Sequence, residues 1–312
     1  MAGLGRAITR MGPGVRRWQS PSPPAETACH AAIMTTPQDA KAAIAGIFDR
    51  SAADYEQIGP EFFAPMGREL VRRAAPRAGE RALDVGCGRG HCLFPLAEAV
   101  GPQGEALGLD LAPAMVEATA AQARARGLSQ VKVRIGDAAD PEVEPGSFDL
   151  VTAGFVIFFL PDPAAGVAAW ARALRPGGRL AISTFVAQGV HEQVMKTIGR
   201  FIPRDGGDGP KRRVERFRSA EALTAVLVEG GFTGIEHRNV TFRTRFTGPD
   251  QWWRWIGSHG GRAALERLPA DRLEEARAAA YEVMETARAS DGALVLHTEA
   301  RFTTARLPQS PS

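Results

Sequence analysis

A chain of 312 residues is too long for a minimal domain and too short for two full-sized ones with linkers; one α/β domain with added helical segments is expected. The composition, 44% hydrophobic and 23% charged, is that of a globular chain with a sizeable core. Residues 1–33 hold Arg6, Arg10, Arg16 and Arg17 against Glu26 alone; they account for the whole net charge of +3, and the neutral body lacks the electrostatic footprint of a nucleic-acid binder.

In chain order, residues 1–33 are rich in Pro, Arg, Ser and Ala without a hydrophobic period, and read as a disordered extension. Met34, opening Met34-Thr35-Thr36-Pro37, is an alternative biological start. Residues 34–78 are expected to form N-terminal helices over the active site, with a helical pattern at 43–73 broken near Gly59-Pro60. Strands follow at 81–86, 105–110, 131–135, 148–155 and 178–185, alternating with helices ending near Val100, at 112–126 and at 163–174. Such alternation calls for a mostly parallel sheet covered on both faces. After the fifth strand come a short helix at 191–202, a loop carrying Lys211-Arg212-Arg213 that reads as surface, and a helix capped by Ser219. Strands six and seven are placed at 234–246 and 293–305, with a helical cap at about 249–290 between them.

The three cysteines, Cys29, Cys87 and Cys92, form no disulfide framework and suggest a reducing compartment, so a cytoplasmic protein is expected. The longest apolar run, 151–160, stops at Pro161 and is too short to span a bilayer.

The chemistry-bearing signals lie at strand ends. Asp84-Val85-Gly86-Cys87-Gly88-Arg89-Gly90 runs from an apolar strand into closely spaced glycines, which permit a tight turn and close approach of a cofactor to the backbone. His91 stands where a dinucleotide fingerprint would place its third glycine. Asp84 would serve a pyrophosphate poorly and a cationic amino-acid moiety well. Asp110 ends the second strand, 22 residues after Gly88, where a carboxylate can accept both ribose hydroxyls of an adenosine cofactor. Asp137, after the third strand, is placed to pair with the exocyclic amino group of an adenine. Asp149 sits within the fourth strand and reads as structural, and Cys87 and Cys92 read as small packing residues rather than metal ligands.

These signals, with Phe148-Asp149-Leu150-Val151 and Leu174-Arg175-Pro176-Gly177-Gly178, resemble the class I S-adenosylmethionine-dependent methyltransferases over residues 80–185. The resemblance is to the bacterial small-molecule branch related to the ubiquinone and menaquinone biosynthesis methyltransferases. It implies a Rossmann-like, seven-stranded, mostly parallel sheet with an antiparallel last strand and helices on both faces. The core would span 79–186, with 187–312 completing it and carrying the cap. S-adenosyl-L-methionine is the implied cofactor. Gly86, Gly88 and Gly90 would line its methionine part, Asp84 would act near its amino group directly or through water, and Asp110 would hold the ribose. Leu111 and Met115 would flank the adenine, Asp137 and Ala138 would recognise its edge, and Gly154 and Phe155 would close the floor near the sulfonium. Tyr55 would reach the methionine carboxylate or the substrate.

The fourth strand ends in Thr152-Ala153-Gly154-Phe155-Val156, without the Asp/Asn-Pro-Pro-aromatic motif of amino-methylating nucleic-acid enzymes. The ends of strands four and five carry no hard oxygen ligands for magnesium, so no metal is expected. Phe155, Phe158, Phe159 and Leu160 instead suggest a small, partly apolar acceptor, such as a quinone-like or secondary metabolite. Of the tryptophans opening the cap, Trp252, Trp253 and Trp255 cannot all face one side of a helix. Trp252 and Trp255 are the candidates for acceptor contact. The expected reaction is in-line methyl transfer to O, C or N, with His191 and His259 as candidate bases where an oxygen needs one. The competing readings are a cofactor-binding protein that transfers no methyl group and, against the loop spacing, a nicotinamide-dependent oxidoreductase. The first helices or the cap are expected to offer a face for a homo-oligomer.

Overall fold

The computed structural model describes residues 36–203 and 214–309. The expectations for residues 1–33, for Met34 and for the Lys211-Arg212-Arg213 run lie outside these residues. Strands β1 (Arg81–Val85), β2 (Glu105–Asp110), β3 (Val131–Ile135), β4 (Phe148–Gly154), β5 (Leu174–Ala187), β6 (Thr233–Phe246) and β7 (Leu294–Arg306) form one sheet in the order β3-β2-β1-β4-β5-β7-β6. The pairs among β1 to β5 are parallel, and β7 runs antiparallel between β5 and β6.

The sequence dictates which strands sit inside. Ala82, Leu83 and Val85 of β1 and Leu150, Val151 and Ala153 of β4 are buried on both faces, as a central parallel sheet requires. Helices α3 (Leu93–Val100), α4 (Pro113–Ala125) and α5 (Pro163–Ala173) make the crossovers. Asp162 caps α5 by accepting from the backbone amides of Ala164 and Ala165. One expectation is corrected at β5. The fifth strand, expected from 178, already begins at Leu174: Leu174 pairs with Phe148, and a register shift before Leu150 absorbs the glycines.

Two helices precede the sheet. α1 (Pro37–Ser51) opens with a capping box between Thr36 and Asp39, and α2 (Phe63–Ala74) buries Met66, Leu70, Val71 and Ala74 along one stripe. After β5, α6 (Gly189–Gly199) and α7 (Ala220–Glu229, capped by Ser219) lead to β6. The insertion before β7 holds α8 (Pro249–Ile256), α9 (Arg262–Leu265) and α10 (Leu273–Glu285); α10 packs on α6. Arg50 of α1 meets Glu266 through two hydrogen bonds of 3.0 and 2.7 Å, and Arg262 donates to the Arg50 carbonyl at 2.7 Å. The two appended helical regions thus close on each other above the carboxyl ends of β1, β2 and β4. No helix among the described residues is long and apolar enough to cross a membrane.

Candidate active site

A cavity of about 540 Å³ lies at those strand ends, where the order of the sheet reverses between β1 and β4. Its walls come from α1, the β1–α3 loop, the ends of β2, β4 and β5, α6 and the insertion.

At one end the backbone of the glycine loop does the positioning. Gly86 and Gly88 lie at φ of 66° and 49°, in the left-handed region that side chains avoid. A Cβ on Gly86 would come within 2.4 Å of Val156, whereas one on Gly88 would meet nothing within 4 Å and would enter the cavity. The loop is tied to the next strand through the Cys87 amide, which donates to the Leu109 carbonyl at 2.8 Å. Asp110 accepts from the Gly88 amide at 2.8 Å through Oδ2 and from the Ala112 amide at 2.9 Å through Oδ1. These bonds fix the carboxylate plane and leave further lone pairs facing the cavity; burial raises the pKa of Asp110 while the amides pull it back.

Asp84, the last residue but one of β1, is 2% exposed. Its Oδ1 accepts from the Thr152 hydroxyl at 2.7 Å, and its buried Oδ2 has no hydrogen-bond partner. Burial pushes its pKa up to about 7. An orphaned buried carboxylate oxygen beside an open glycine cradle fits a ligand carrying a cationic group and a compact backbone-hugging segment. Asp137 accepts from the Ala139 amide at 2.8 Å through Oδ1 and forms an ion pair with Lys41 of α1 through Oδ2. Leu111, Met115 and Ala138 line the same end.

The other end is aromatic. Phe155 holds φ of 56°, unusual for a non-glycine residue, and its amide is shared between the carbonyl and hydroxyl of Ser183 at 3.1 and 3.2 Å. Its ring stacks on Phe185 with centroids 4.4 Å apart. Gly154, Phe158, Phe159 and Trp255 also face the cavity. Trp252 does not: it is fully buried behind the wall, its ring 5.6 Å from that of His191, because α8 turns its Trp252 side into the core. Its expected acceptor contact is corrected to packing. Trp253 rests half-buried on Tyr281.

His191 and His259 both reach the cavity, on either side of Trp255. Burial lowers the pKa of both, that of His191 to about 4. His259 is 3% exposed; its Nδ1 lies 2.8 Å from the Trp255 carbonyl, while its Nε2 has no hydrogen-bond partner. Tyr55 lines the cavity with its ring 4.7 Å from that of His259. It also packs against Ala112 and Met115, so it stands between the two ends.

Several cavity residues escaped the sequence reading: Lys41 and Phe48 of α1, Phe63, Arg89, His91 and Phe185. Arg89 ties the glycine loop to the end of α1 by donating to the Ala52 carbonyl at 2.5 Å. Glu56 was also passed over. Its side chain is 4% exposed, with an oxygen 3.9 Å from His259 Nε2. The available signal was the Gly59-Pro60 break, which lets the chain fold Glu56 back onto the start of α2. Among the described residues no group of three or more His, Cys, Asp or Glu could hold a metal ion. Asp149 is structural, accepting from the Arg81 amide at 2.7 Å and pairing with Arg175.

A methyltransferase-domain family matches residues 76–201. The nocamycin O-methyltransferase of Saccharothrix syringae is 36% identical over 274 residues, covering 84% of this chain and 97% of the relative. The aklanonic acid methyltransferase DauC of Streptomyces sp. (strain C5) is 47% identical over 137 residues, 44% of this chain and 62% of the relative. Among solved structures, the YcgJ protein of Bacillus subtilis shares the fold with a TM-score of 0.54 at 19% identity, over 78% of this chain and 99% of that one. A relative matched along nearly its whole length, on a sheet of this order with these strand-end carboxylates, places the chain among the class I S-adenosylmethionine-dependent methyltransferases related to small-molecule O-methyltransferases.

Proposed function

We propose that the protein transfers a methyl group from S-adenosylmethionine to an oxygen of a small, ring-bearing and largely apolar metabolite. The observation that carries this reading is one continuous cavity with two unlike ends, carboxylates on a glycine loop at one and a cluster of aromatic rings at the other. Oxygen is favoured over carbon or nitrogen by the O-methylation named for the full-length relative and by two neutral imidazoles in the aromatic end.

The residues at the polar end suit the cofactor. Asp110 would accept the ribose hydroxyls, Gly86 and Gly88 would leave room for the methionine part, and Asp84 would answer its ammonium; Gly90, expected beside them, does not line the cavity, and a Cβ on it would meet the Phe94 ring at 2.5 Å. Leu111 and Met115 would flank the adenine, with Asp137 and Ala138 at its edge once Asp137 shares or yields its contact with Lys41. When bound, the cofactor supplies an electrophilic methyl on a sulfonium. The protein's part is to hold the acceptor in line, and such orientation supplies up to about 7–11 kcal/mol in favourable cases. Phe155, Phe158, Phe159, Phe185 and Trp255 would clamp a flat ring and exclude water.

The test is calorimetric titration with S-adenosylhomocysteine, with NAD as the control. Micromolar binding is expected, falling about 100-fold in Asp110→Ala, since charged hydrogen bonds are worth about 1.5–3 kcal/mol each. The folded protein showing no such binding, or preferring NAD, would overturn the reading. Transfer of labelled methyl to a phenolic or quinone-like acceptor then separates an active enzyme from a protein that only binds the cofactor.

A further inference from the structure

Strand β5 brings one side chain to the cavity that a regular strand would turn away. Ser183 and Phe185 line the wall, two positions apart, as side chains on one face of a strand must. Ala187 would be the next on that face. A register shift against β7 between Phe185 and Ala187 puts an extra residue into β5. Ala187 is exposed instead, and Gln188, which an unbroken strand would send to the opposite face, lines the cavity. Gln188 also precedes the first turn of α6, yet its side chain makes no capping bond there and no hydrogen bond to another described residue. Glutamine is not among the side chains that cap helices well. This half-buried carboxamide, with two N–H donors and one carbonyl, therefore serves neither the helix nor the strand.

Its surroundings are neutral. His191, one helical turn on, also lines the cavity, and burial lowers its pKa to about 4, so the ring is uncharged at neutral pH. The described cations of the cavity lie at its other end, Lys41 on Asp137 and Arg89 on the glycine loop. A simple phenol, with an ordinary pKa of about 10, would not surrender its proton to such an imidazole. An oxygen conjugated to a carbonyl, in a carboxylic acid or its vinylogue in a hydroxyquinone, is already ionised and needs no base. Such an oxyanion spreads its charge over two oxygens that only accept, and the N–H donors of a carboxamide complement it.

Building on the methyltransferase reading, we propose that Gln188 is the residue that recognises the acceptor, and that what it recognises is an oxyanion conjugated to a carbonyl. The carboxamide N–H groups hold one oxygen of the pair and leave the other free to react. A neutral donor orients the anion without cancelling its charge, and among aromatic rings that charge stays available to the sulfonium. A lone pair of the free oxygen forms the new O–C bond as the C–S bond breaks, and the C–S electrons remain on sulfur. One positive and one negative charge disappear together, and no proton moves.

The experiment measures three aromatic probes on the full chain by calorimetry, with and without S-adenosylhomocysteine: 2-naphthoate, 2-hydroxynaphthoquinone and 2-naphthol. Failure of S-adenosylhomocysteine to bind would sink the methyltransferase reading, while the probes alone still report on Gln188. At neutral pH at least one of the two anions is expected to bind more tightly than the naphthol. Gln188→Leu should weaken that anion about tenfold or more, the worth of a charge-assisted hydrogen bond, and leave the naphthol within about twofold. Gln188→Asn, shorter but with the same donors, should recover part of the loss, and Gln188→Glu should deepen it by repulsion. Because the side chain caps nothing, Tm of Gln188→Leu should stay within about two degrees, which separates recognition from folding. A response from naphthoate alone assigns the acceptor a carboxylate, and one from the quinone alone a hydroxyquinone; either supports the proposal. A naphthol bound as tightly as both anions, an equal loss for all three probes in Gln188→Leu, or no loss for either anion overturns it.

Discussion

The two ends of the cavity are built by different means. At the glycine loop the positioning atoms are backbone: amides of Gly88 and Ala112 hold Asp110, and the loop itself hangs from β2 by a main-chain bond. These groups are near in sequence and their geometry follows from a local motif. At the aromatic end the walls are side chains from six distant segments, α1, α2, the end of β4, β5, α6 and the insertion, brought together only by the fold. The first end is rigid in kind and suited to one invariant ligand; the second can change its lining without disturbing the sheet, as a specificity pocket must.

Asp84 tests that contrast most severely, because one of its carboxylate oxygens is buried without a hydrogen-bond partner. Its folded pKa of about 7 lies above the unfolded value of about 3.9, so between these values the native state binds more protons than the unfolded one. Asp84 should therefore withdraw stability on the order of 4 kcal/mol as pH rises from 4 to 8, while His191 and His91, held at about 4 by burial, contribute in the opposite direction between pH 4 and about 6.5. Asp84→Asn is expected to remove the Asp84 contribution and to raise Tm at pH 8. A cationic ligand group stabilises the ionised form, so S-adenosylhomocysteine should bind more tightly to the wild type at pH 8 than at pH 6, and this gain should vanish in the variant. Calorimetry across pH checks both; a stability difference between wild type and Asp84→Asn that stays constant from pH 4 to 8 would remove Asp84 from this role.

The glycines divide the rigid end further. In Gly86→Ala the new methyl meets Val156 in a backbone conformation costing about 1–2 kcal/mol for an L-residue, and overpacking adds about 1–3 kcal/mol. A fall in Tm and loss of cofactor binding should come together. In Gly88→Ala the methyl enters open space, so the same backbone strain appears without overpacking, and binding should suffer more than folding. Thermal melts beside S-adenosylhomocysteine titrations separate the two. Equal losses of Tm would mean that the loop is positioned by strain alone.

How much was legible follows the same division. The sheet and its insertion, the strand-end carboxylates Asp84, Asp110 and Asp137, and the glycine loop could be read because each signal sits in one stretch of chain and carries its own chemistry. Trp252 and Trp255 could not be told apart: helical spacing puts both on one face, and only the depth of α8 decides which of them meets the cavity. Glu56 was invisible for a related reason. In sequence it is one acid in a helical stretch, and its burial depends on a chain reversal and on two histidines 35 and 203 positions away. Lys41 pairing with Asp137 likewise depends on how α1 lies over the sheet, which no local pattern encodes.

The smallest expected effect concerns the closure over the aromatic end. Arg50 and Glu266 meet face to face, but both are substantially exposed, at 52% and 40%. Exposed pairs of this kind contribute about 0.2–1 kcal/mol, so Arg50→Ala should lower Tm by no more than a few degrees. The pair nevertheless joins α1 to the insertion, and the same Arg50 carries the carbonyl that receives Arg262. That backbone acceptor survives in Arg50→Ala, so closure should be loosened rather than lost. Cofactor affinity, set by the backbone of the other end, should stay within about twofold, while retention of an aromatic probe such as 2-naphthol should shorten, and more at low salt, where the wild-type pair is strongest. If the variant loses cofactor affinity as much as probe retention, the two ends of the cavity are coupled through α1, and the Lys41–Asp137 contact becomes the place to look for that coupling.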